Sequence, residues 1–172
     1  MNSETQYIEF IGTLHDTVYR LARSIVGEEA EAEDITQDIF ERVWRARDAV
    51  LQSDYPRAYI CRMARNLAID RQRAKQRAQS ISLTEQSATP LDDTSSELNR
   101  RDMAALSLKL IERLPERQRL TMHMRDVEGY EIEEIALILE SDEASVRVNL
   151  SRARRSVREQ LLKIMNYGVR EN

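Results

Sequence analysis

The sequence predicts an all-α fold: two small helical domains joined by a flexible linker, the C-terminal one a helix-turn-helix. Three observations carry that prediction. The 172 residues include only 4 Gly and 3 Pro, aromatics make up 5 %, and apolar residues recur at spacings of three and four. One stretch, about Gln79 to Glu97, is rich in Ser, Thr, Asp and Gln, contains a proline and has no periodicity, which reads as a linker. After it, a short periodic segment, a tight turn and a long periodic segment with a bare basic face follow one another, the pattern of a helix-turn-helix.

The elements follow in order. Tyr7, Phe10, Ile11, Leu14, Val18, Leu21 and Ile25 mark a first helix, and Gly27 supplies a left-handed stop. A second helix starts in an acidic stretch, where carboxylates suit the positive end of the helix dipole. Its stripe is Ile35, Ile39 and Val43, with Phe40 and Trp44 one turn apart beside it and expected in the core. Gln52, Ser53 and Asp54 break the pattern, and Pro56 fits the first turn of a third helix carrying Ile60, Met63, Ala64 and Leu67. Beyond Asp70 that helix has almost no apolar residues, so its far end must leave the core. Past the linker, Met103, Leu106, Leu110, Ile111 and Leu114 mark another helix. Pro115 starts the next, which holds Leu120, Met124 and Val127, and Gly129 stops it. Ile132, Ile135, Ala136 and Leu139 make the short helix, Glu140-Ser141 the turn, and Ser141 the expected N-cap. Val146, Leu150, Ala153, Val157, Leu161 and Ile164 stripe the long helix.

The net charge of −4 hides a blockwise distribution. Glu28 to Glu41 holds seven acids and no base, whereas Arg57 to Arg77 holds seven bases against Asp70 alone. Asp126 to Glu143 holds eight acids and no base, and Ala144 to Arg158 holds five arginines and no acid. Two separate basic patches on a mildly acidic chain suggest two contacts with a polyanion, and the acidic faces suit a basic protein partner, although an acidic helix can also be merely solubilising. Other classes find little support. The lone Cys61 excludes an internal disulfide and a thiolate zinc site and reads as a buried structural thiol. His15 and His123 have no partner at ligand spacing, so no metal is expected. The four glycines are scattered, no nucleophile–His–acid grouping can be located, and neither an enzyme nor a cofactor is expected. No apolar run reaches the roughly 18 residues of a membrane span, and the first residues lack a signal-peptide pattern, so a cytoplasmic location is expected.

Both blocks resemble a known family. Glu33-Asp34-Ile35-Thr36-Gln37-Asp38-Ile39-Phe40, then Trp44, resembles the signature of the first conserved domain of bacterial sigma factors. Pro56 to Asn66, followed by Asp70 and Arg73, resembles the segment that family uses on the −10 promoter element. Leu114-Pro115, Arg119, Glu128-Gly129, Glu134-Ile135-Ala136 and Ser151-Arg152-Ala153-Arg154 resemble its C-terminal domain, which reads the −35 element. Two such domains with nothing between them and no N-terminal extension resemble the extracytoplasmic-function (ECF) class of the sigma-70 family. The chain departs from the family at Tyr59, where Trp is usual, and at Glu140, where Gly is usual. It departs again at Val148-Asn149, where Ser-Arg is usual, which bears on the DNA sequence read and not on the mode of binding.

The resemblance implies three functional surfaces. Residues 1–78 bind core polymerase and recognise and melt the −10 element, 79–97 link, and 98–172 read the −35 element. Asp34, Gln37, Asp38 and Glu41 stand at the core-polymerase contact. Tyr59, Arg62, Arg65, Asn66 and Arg73 stand at the −10 contact, with Tyr59 either stacking on a base or packing in the core. Asn66 either takes the edge of an extruded base or fixes the preceding loop. Ser145, Arg147, Val148, Asn149, Ser151, Arg152 and Arg155 stand at the −35 contact. Implied partners are the largest subunits of core RNA polymerase, promoter DNA and a membrane-bound anti-sigma factor, with a monomer when free and no small-molecule substrate. The alternative is a helix-turn-helix regulator acting as a dimer without being a polymerase subunit.

Overall fold

From Leu14 on, the stripe that marks the first helix is buried as the spacing requires. In the computed structural model, which describes residues 3–80 and 100–168, α1 (Ser3–Val26) turns Leu14, Val18, Leu21 and Ile25 inward. Gly27 ends it at φ 80°. Helix α2 (Glu29–Arg45) buries Ile35, Ile39 and Val43, and α4 (Pro56–Ser80) buries Ala58, Ile60, Cys61, Ala64 and Ala68. These three helices pack on one another. A short α3 (Arg47–Leu51), absent from the sequence reading, closes the loop before α4 and plugs it with Val50. The sequence-read linker, about 79 to 97, falls largely outside the described residues.

The second half is α5 (Arg100–Glu112), α6 (Glu116–Met122), a π-helical turn (His123–Val127), α7 (Ile132–Leu139) and α8 (Glu143–Gly168). Pro115 precedes α6 and Gly129, at φ 75°, follows the π turn. The α7–α8 turn falls at Glu140-Ser141 as read, and departs from expectation only in the cap of α8. Glu140 adopts the left-handed conformation (φ 50°, ψ 51°), and Ser141 N then bonds Ala136 O at 3.0 Å, capping α7. Asp142, not Ser141, starts α8: its carboxylate accepts Ser145 N at 2.8 Å and Ser145 Oγ at 2.7 Å. Being ionised, Asp142 accepts both donors at once, and the hydroxyl and amide of Ser145 hold its pKa below the ordinary value.

The two halves are packed together. One core runs from Leu14, Ile39 and Ile60 of the first half into Leu120, Tyr130, Ile135 and Ile138 of the second. A smaller core, with Leu110, Leu114, Leu150 and Val157, lies wholly in the second half. Helix α7 is the bridge, touching α4 on one side and α8 on the other.

Candidate nucleic-acid interface

The acidic and basic runs that lack partners within their own helices find them in each other. Arg71 of α4 donates to Glu31 at 2.9 Å and to Asp38 at 2.8 Å on α2, and Lys75 pairs with Glu28. The far end of α4 is therefore tied to α2 by charge where apolar residues run out. Asp38 is committed to this clamp, whereas Asp34 and Gln37 are exposed and, among the described residues, Glu41 pairs with Arg45 at 3.3 Å.

Between α1 and α2 lies an open groove of about 1090 Å³ floored by Ile11, Tyr19 and Phe40 and rimmed by Asp16, Glu33 and Glu41. His15 stacks on Phe40 with ring centroids 5.6 Å apart. The expectation that Phe40 and Trp44 are core residues holds in part for Phe40, which packs against the core, and is corrected for Trp44. Trp44 is 44 % exposed at the groove and Phe40 is half-buried, because their face of α2 points away from α4.

On α4, Tyr59 is exposed at the surface with Arg62 lying over its ring at 5.5 Å, and Arg73 is exposed. Arg65 and Asn66 are half-buried at the α7 contact. Asn66 Nδ2 reaches Glu140 Oε1 at 3.5 Å, and Arg65 Nη1 lies 3.6 Å from Glu140 Oε2 and donates to Asn66 Oδ1 at 3.1 Å. Arg65 Nε is buried with no hydrogen-bond partner among the described residues, and burial, partly offset by Glu140, lowers its pKa from the usual arginine value.

On α8, Val146, Leu150, Ala153 and Val157 are buried, which leaves Arg147, Val148, Ser151, Arg152 and Arg155 exposed. Arg147 pairs with Glu143 at 2.7 Å and Arg155 with Glu159 at 2.9 Å, both along the exposed helix. Asn149 is half-buried and donates back to Ser145 O at 2.9 Å, and Ser145 is engaged by Asp142. Arg154, on the opposite edge, makes a two-pronged contact to Asp126 at 3.0 and 2.5 Å and so moors α8 to the π turn.

Sequence reasoning did not find the polar lock between the halves. Glu128, at the end of the π turn, accepts Thr17 Oγ1 at 2.7 Å and Arg20 Nε at 2.6 Å, both from α1. His123 Nε2 lies 3.3 Å from the same carboxylate. Burial alone would raise the pKa of Glu128, but its contacts with His123, Arg20 and Thr17 outweigh burial and hold it well below the carboxylate range. Nearby, Tyr130 is 1 % exposed, its hydroxyl 3.1 Å from Cys61 Sγ, and Arg57 lies 4.8 Å over its ring. Burial pushes the Cys61 thiol up to about 11. Among the described residues no cluster of His, Cys, Asp and Glu could hold a metal, and no helix is long and apolar enough to cross a membrane.

Two family models match this arrangement, Sigma-70 region 2 over residues 10–78 and Sigma-70, region 4 over residues 91–157. The chain belongs to the sigma-70 family. The ECF RNA polymerase sigma factor SigL of Mycobacterium tuberculosis is 28 % identical over 153 residues, spanning 88 % of this chain and 85 % of the relative. The RNA polymerase sigma-E factor of Streptomyces coelicolor is 25 % identical over 94 % of this chain and 89 % of its own length. Among solved structures, the sigma factor RpoE of Bartonella quintana, in complex with the anti-sigma factor NepR, matches with a TM-score of 0.71 at 20 % identity. That match covers 91 % of this chain and 96 % of the other. CnrH, in complex with the cytosolic domain of CnrY, matches with a TM-score of 0.61 at 19 % identity over 93 % and 90 % of the two chains. This sigma factor is therefore of the ECF class: it binds core RNA polymerase and directs promoter-specific initiation, and the dimeric-regulator alternative is not favoured.

Proposed function

We propose a division of labour among the surfaces of this sigma factor. Residues 1–78 dock on core polymerase and engage the −10 element, 98–172 read the −35 element, and 79–97 join the two. Asp34, Gln37 and Glu41, with the apolar groove beside them, take a basic helical element of the largest polymerase subunits, and Asp38 contributes through its clamp on Arg71. Tyr59, Arg62, Arg65, Asn66 and Arg73 hold the unpaired −10 strand, Tyr59 by stacking and the cations through phosphates. Arg147, Val148, Ser151 and Arg152 face the −35 major groove, Arg155 the backbone, while Ser145 and Asn149 brace the helix start.

The chain makes and breaks no bond in this scheme. Melting follows from holding the unpaired strand better than the duplex, which offsets a few kcal/mol per unstacked base. The observation that carries the reading is the first turns of α8, where Val148 is 47 % exposed between exposed Arg147 and Arg152 on a helix firmly moored from behind by Arg154. The protein works in the cytoplasm as a monomer when free. The solved relatives are held by anti-sigma factors, and we assign this chain a membrane-bound partner of that class. In-vitro transcription with purified core polymerase and a genomic promoter library tests the reading. Discrete start sites appearing only when this chain is added support it, and core polymerase initiating alike with and without it overturns it.

A further inference from the structure

A cavity of about 460 Å³, which the proposed function does not use, is lined by α1 from the first half and by α5, α6 and the π turn from the second. Its volume falls in the range of about 300–1,000 Å³ usual for small-molecule sites. Three arginines line it, Arg20 and Arg23 from α1 and Arg119 from α6, against one acid among the described lining residues, the exposed Glu112. Leu108 and Ile111 of α5 give it an apolar wall. Two of the cations lack a close counter-charge. Arg23 donates to the carbonyl of Gly27 and, among the described residues, comes no nearer a carboxylate than 3.9 Å, at Glu29. Arg119 forms no ion pair among the described residues: its Nη1 lies 3.4 Å from the Glu112 carbonyl oxygen, and its Nε is buried without a partner. Elsewhere Arg71, Arg147, Arg154 and Arg155 each hold a carboxylate at 2.5–2.9 Å.

We propose that this cavity is a binding site for a small phosphorylated metabolite, with Arg23 and Arg119 on its phosphate and Leu108 and Ile111 against its apolar body. A planar guanidinium bonds two oxygens at a time, so two of them reaching from different helices suit the three oxygens of a phosphate ester better than the two of a carboxylate. Arg119 Nε is out of reach of water, and turning the side chain towards a phosphate oxygen gives it an acceptor. Glu128 does not line the cavity, and Thr17 and Arg20 hold its charge, so it does not oppose an anion there. The apolar wall favours a ligand with a ring or chain, such as a nucleoside phosphate, over inorganic phosphate. The arginines are gathered round one cavity, whereas a nucleic-acid strand needs cations spread along a groove. Because α1 belongs to one half and α6 to the other, an occupied site touches both, and binding adds to the stability of the folded chain by linkage.

The test titrates the full chain, at constant ionic strength, with adenosine monophosphate, pyrophosphate, inorganic phosphate and adenosine. Calorimetry gives the affinities, and the side-chain Nε–H signals of arginine in nitrogen-15 spectra report the place. Arg23→Gln and Arg119→Gln assign those signals and remove one fork each, with circular dichroism to establish that both are folded; either alone suffices for the comparison. Arg42→Gln, at an exposed arginine of α2 far from the cavity in sequence, controls for lost charge. Adenosine monophosphate is expected to saturate with a Kd below about 1 mM, to shift the Arg23 and Arg119 signals, and to bind at least about ten-fold tighter than adenosine or inorganic phosphate. Each of Arg23→Gln and Arg119→Gln should weaken it about ten-fold, and Arg42→Gln should leave it unchanged. It should raise the Tm of the wild type more than that of Arg119→Gln, a difference that sets aside the general stabilisation by excluded anions. No saturable binding of adenosine monophosphate or pyrophosphate overturns the proposal, as does equal affinity in wild type, Arg23→Gln and Arg119→Gln. A random-sequence single-stranded 20-mer that shifts the Arg23 and Arg119 signals at concentrations where adenosine monophosphate does not would give the cavity to a nucleic-acid backbone and overturn the metabolite.

Discussion

Glu128 accepts Nε of Arg20 at 2.6 Å and Nη2 at 3.1 Å, although the two residues stand 108 positions apart in the chain. A π-helical turn makes the meeting possible. The widened His123–Val127 turn, followed by Gly129 at positive φ, carries Glu128 off the helix surface towards α1 and sends Tyr130 towards α4. One local irregularity thus places both polar anchors of the interface between halves.

The pH dependence of this contact has a definite sign. The folded pKa of Glu128 is depressed, so its stabilisation is complete above the ordinary glutamate value of about 4.3 and is lost as pH falls through the depressed value. Glu128→Gln is expected to cost about 1–2 kcal/mol at neutral pH, a range lowered for the exposure of Arg20. Urea unfolding of both proteins should show a gap that is flat from about pH 7 to about pH 5 and narrows only below about pH 4. A gap that already narrows between about pH 7 and about pH 5 would mean that the Glu128 carboxylate does not carry the effect.

Glu140 gives a test of stored backbone strain. A non-glycine residue at φ 50° carries about 1 kcal/mol that glycine does not. Glu140→Gly and Glu140→Ala both remove the contacts to Arg65 and Asn66, so the difference between them isolates the backbone. The glycine variant should be more stable than the alanine variant by about 1 kcal/mol in denaturant unfolding. Equal stabilities would mean that the α7–α8 turn relaxes elsewhere.

How far the sequence led depended on which interactions were local. The stripes Leu14-Val18-Leu21-Ile25 and Val146-Leu150-Ala153-Val157 are buried as read, and Gly27 and Gly129 stand at positive φ as helix stops. These follow from a period of 3.6 residues and from the missing Cβ of glycine. The α8 cap was misread by one residue, since Ser141 and Asp142 are both good caps and only the position of Ser145 decides between them. Trp44 was misread because helical spacing shows that Phe40 and Trp44 share a face but not whether another element covers it. The basic character of α4 and α8 was legible as blocks of one charge, yet the clamp of Arg71 by Glu31 and Asp38 was not, because pairing between helices leaves no trace in either helix alone. The contact of Thr17 and Arg20 with Glu128 has no periodic signature and was invisible for the same reason.

The structure separates two acids that the sequence treats alike. Asp38 holds Arg71, whereas Asp34 is exposed and makes no such pair among the described residues. Asp34→Lys is expected to weaken core-polymerase binding with a change in stability below about 0.5 kcal/mol, as for other surface substitutions. Asp38→Lys should weaken binding and also destabilise the fold, because it sets a second cation against Arg71. Trp44→Ala should resemble Asp34→Lys, costing affinity more than stability, since the ring is only partly buried at the groove. Thermal unfolding together with polymerase affinity at moderate salt checks all three. Unaltered affinity in Asp34→Lys and Trp44→Ala would remove the groove from the polymerase interface.

The recognition helix gives the sharpest test of sequence reading. Arg147 is exposed on the first turns of α8 and, among the described residues, pairs with Glu143 one turn earlier, a contact that surface screening makes weak and easily exchanged for a base edge. Its guanidinium can bond guanine in two-pronged fashion. Asn149, by contrast, is turned back onto Ser145 O and is half-buried, which takes its amide away from the groove. Arg147→Ala is therefore expected to cost about 1–3 kcal/mol at the upstream element and to relax preference at one or two base positions. Asn149→Ala should change stability more than preference. Arg155→Ala and Arg158→Ala should weaken binding similarly on every sequence and lower the salt slope, as residues facing phosphates do. Selection of sites from one random duplex library by wild type and the four variants separates these outcomes. If wild type and Arg147→Ala select the same sequences, Arg147 only positions the helix and base reading belongs to Val148, Ser151 and Arg152, the other exposed side chains on that face.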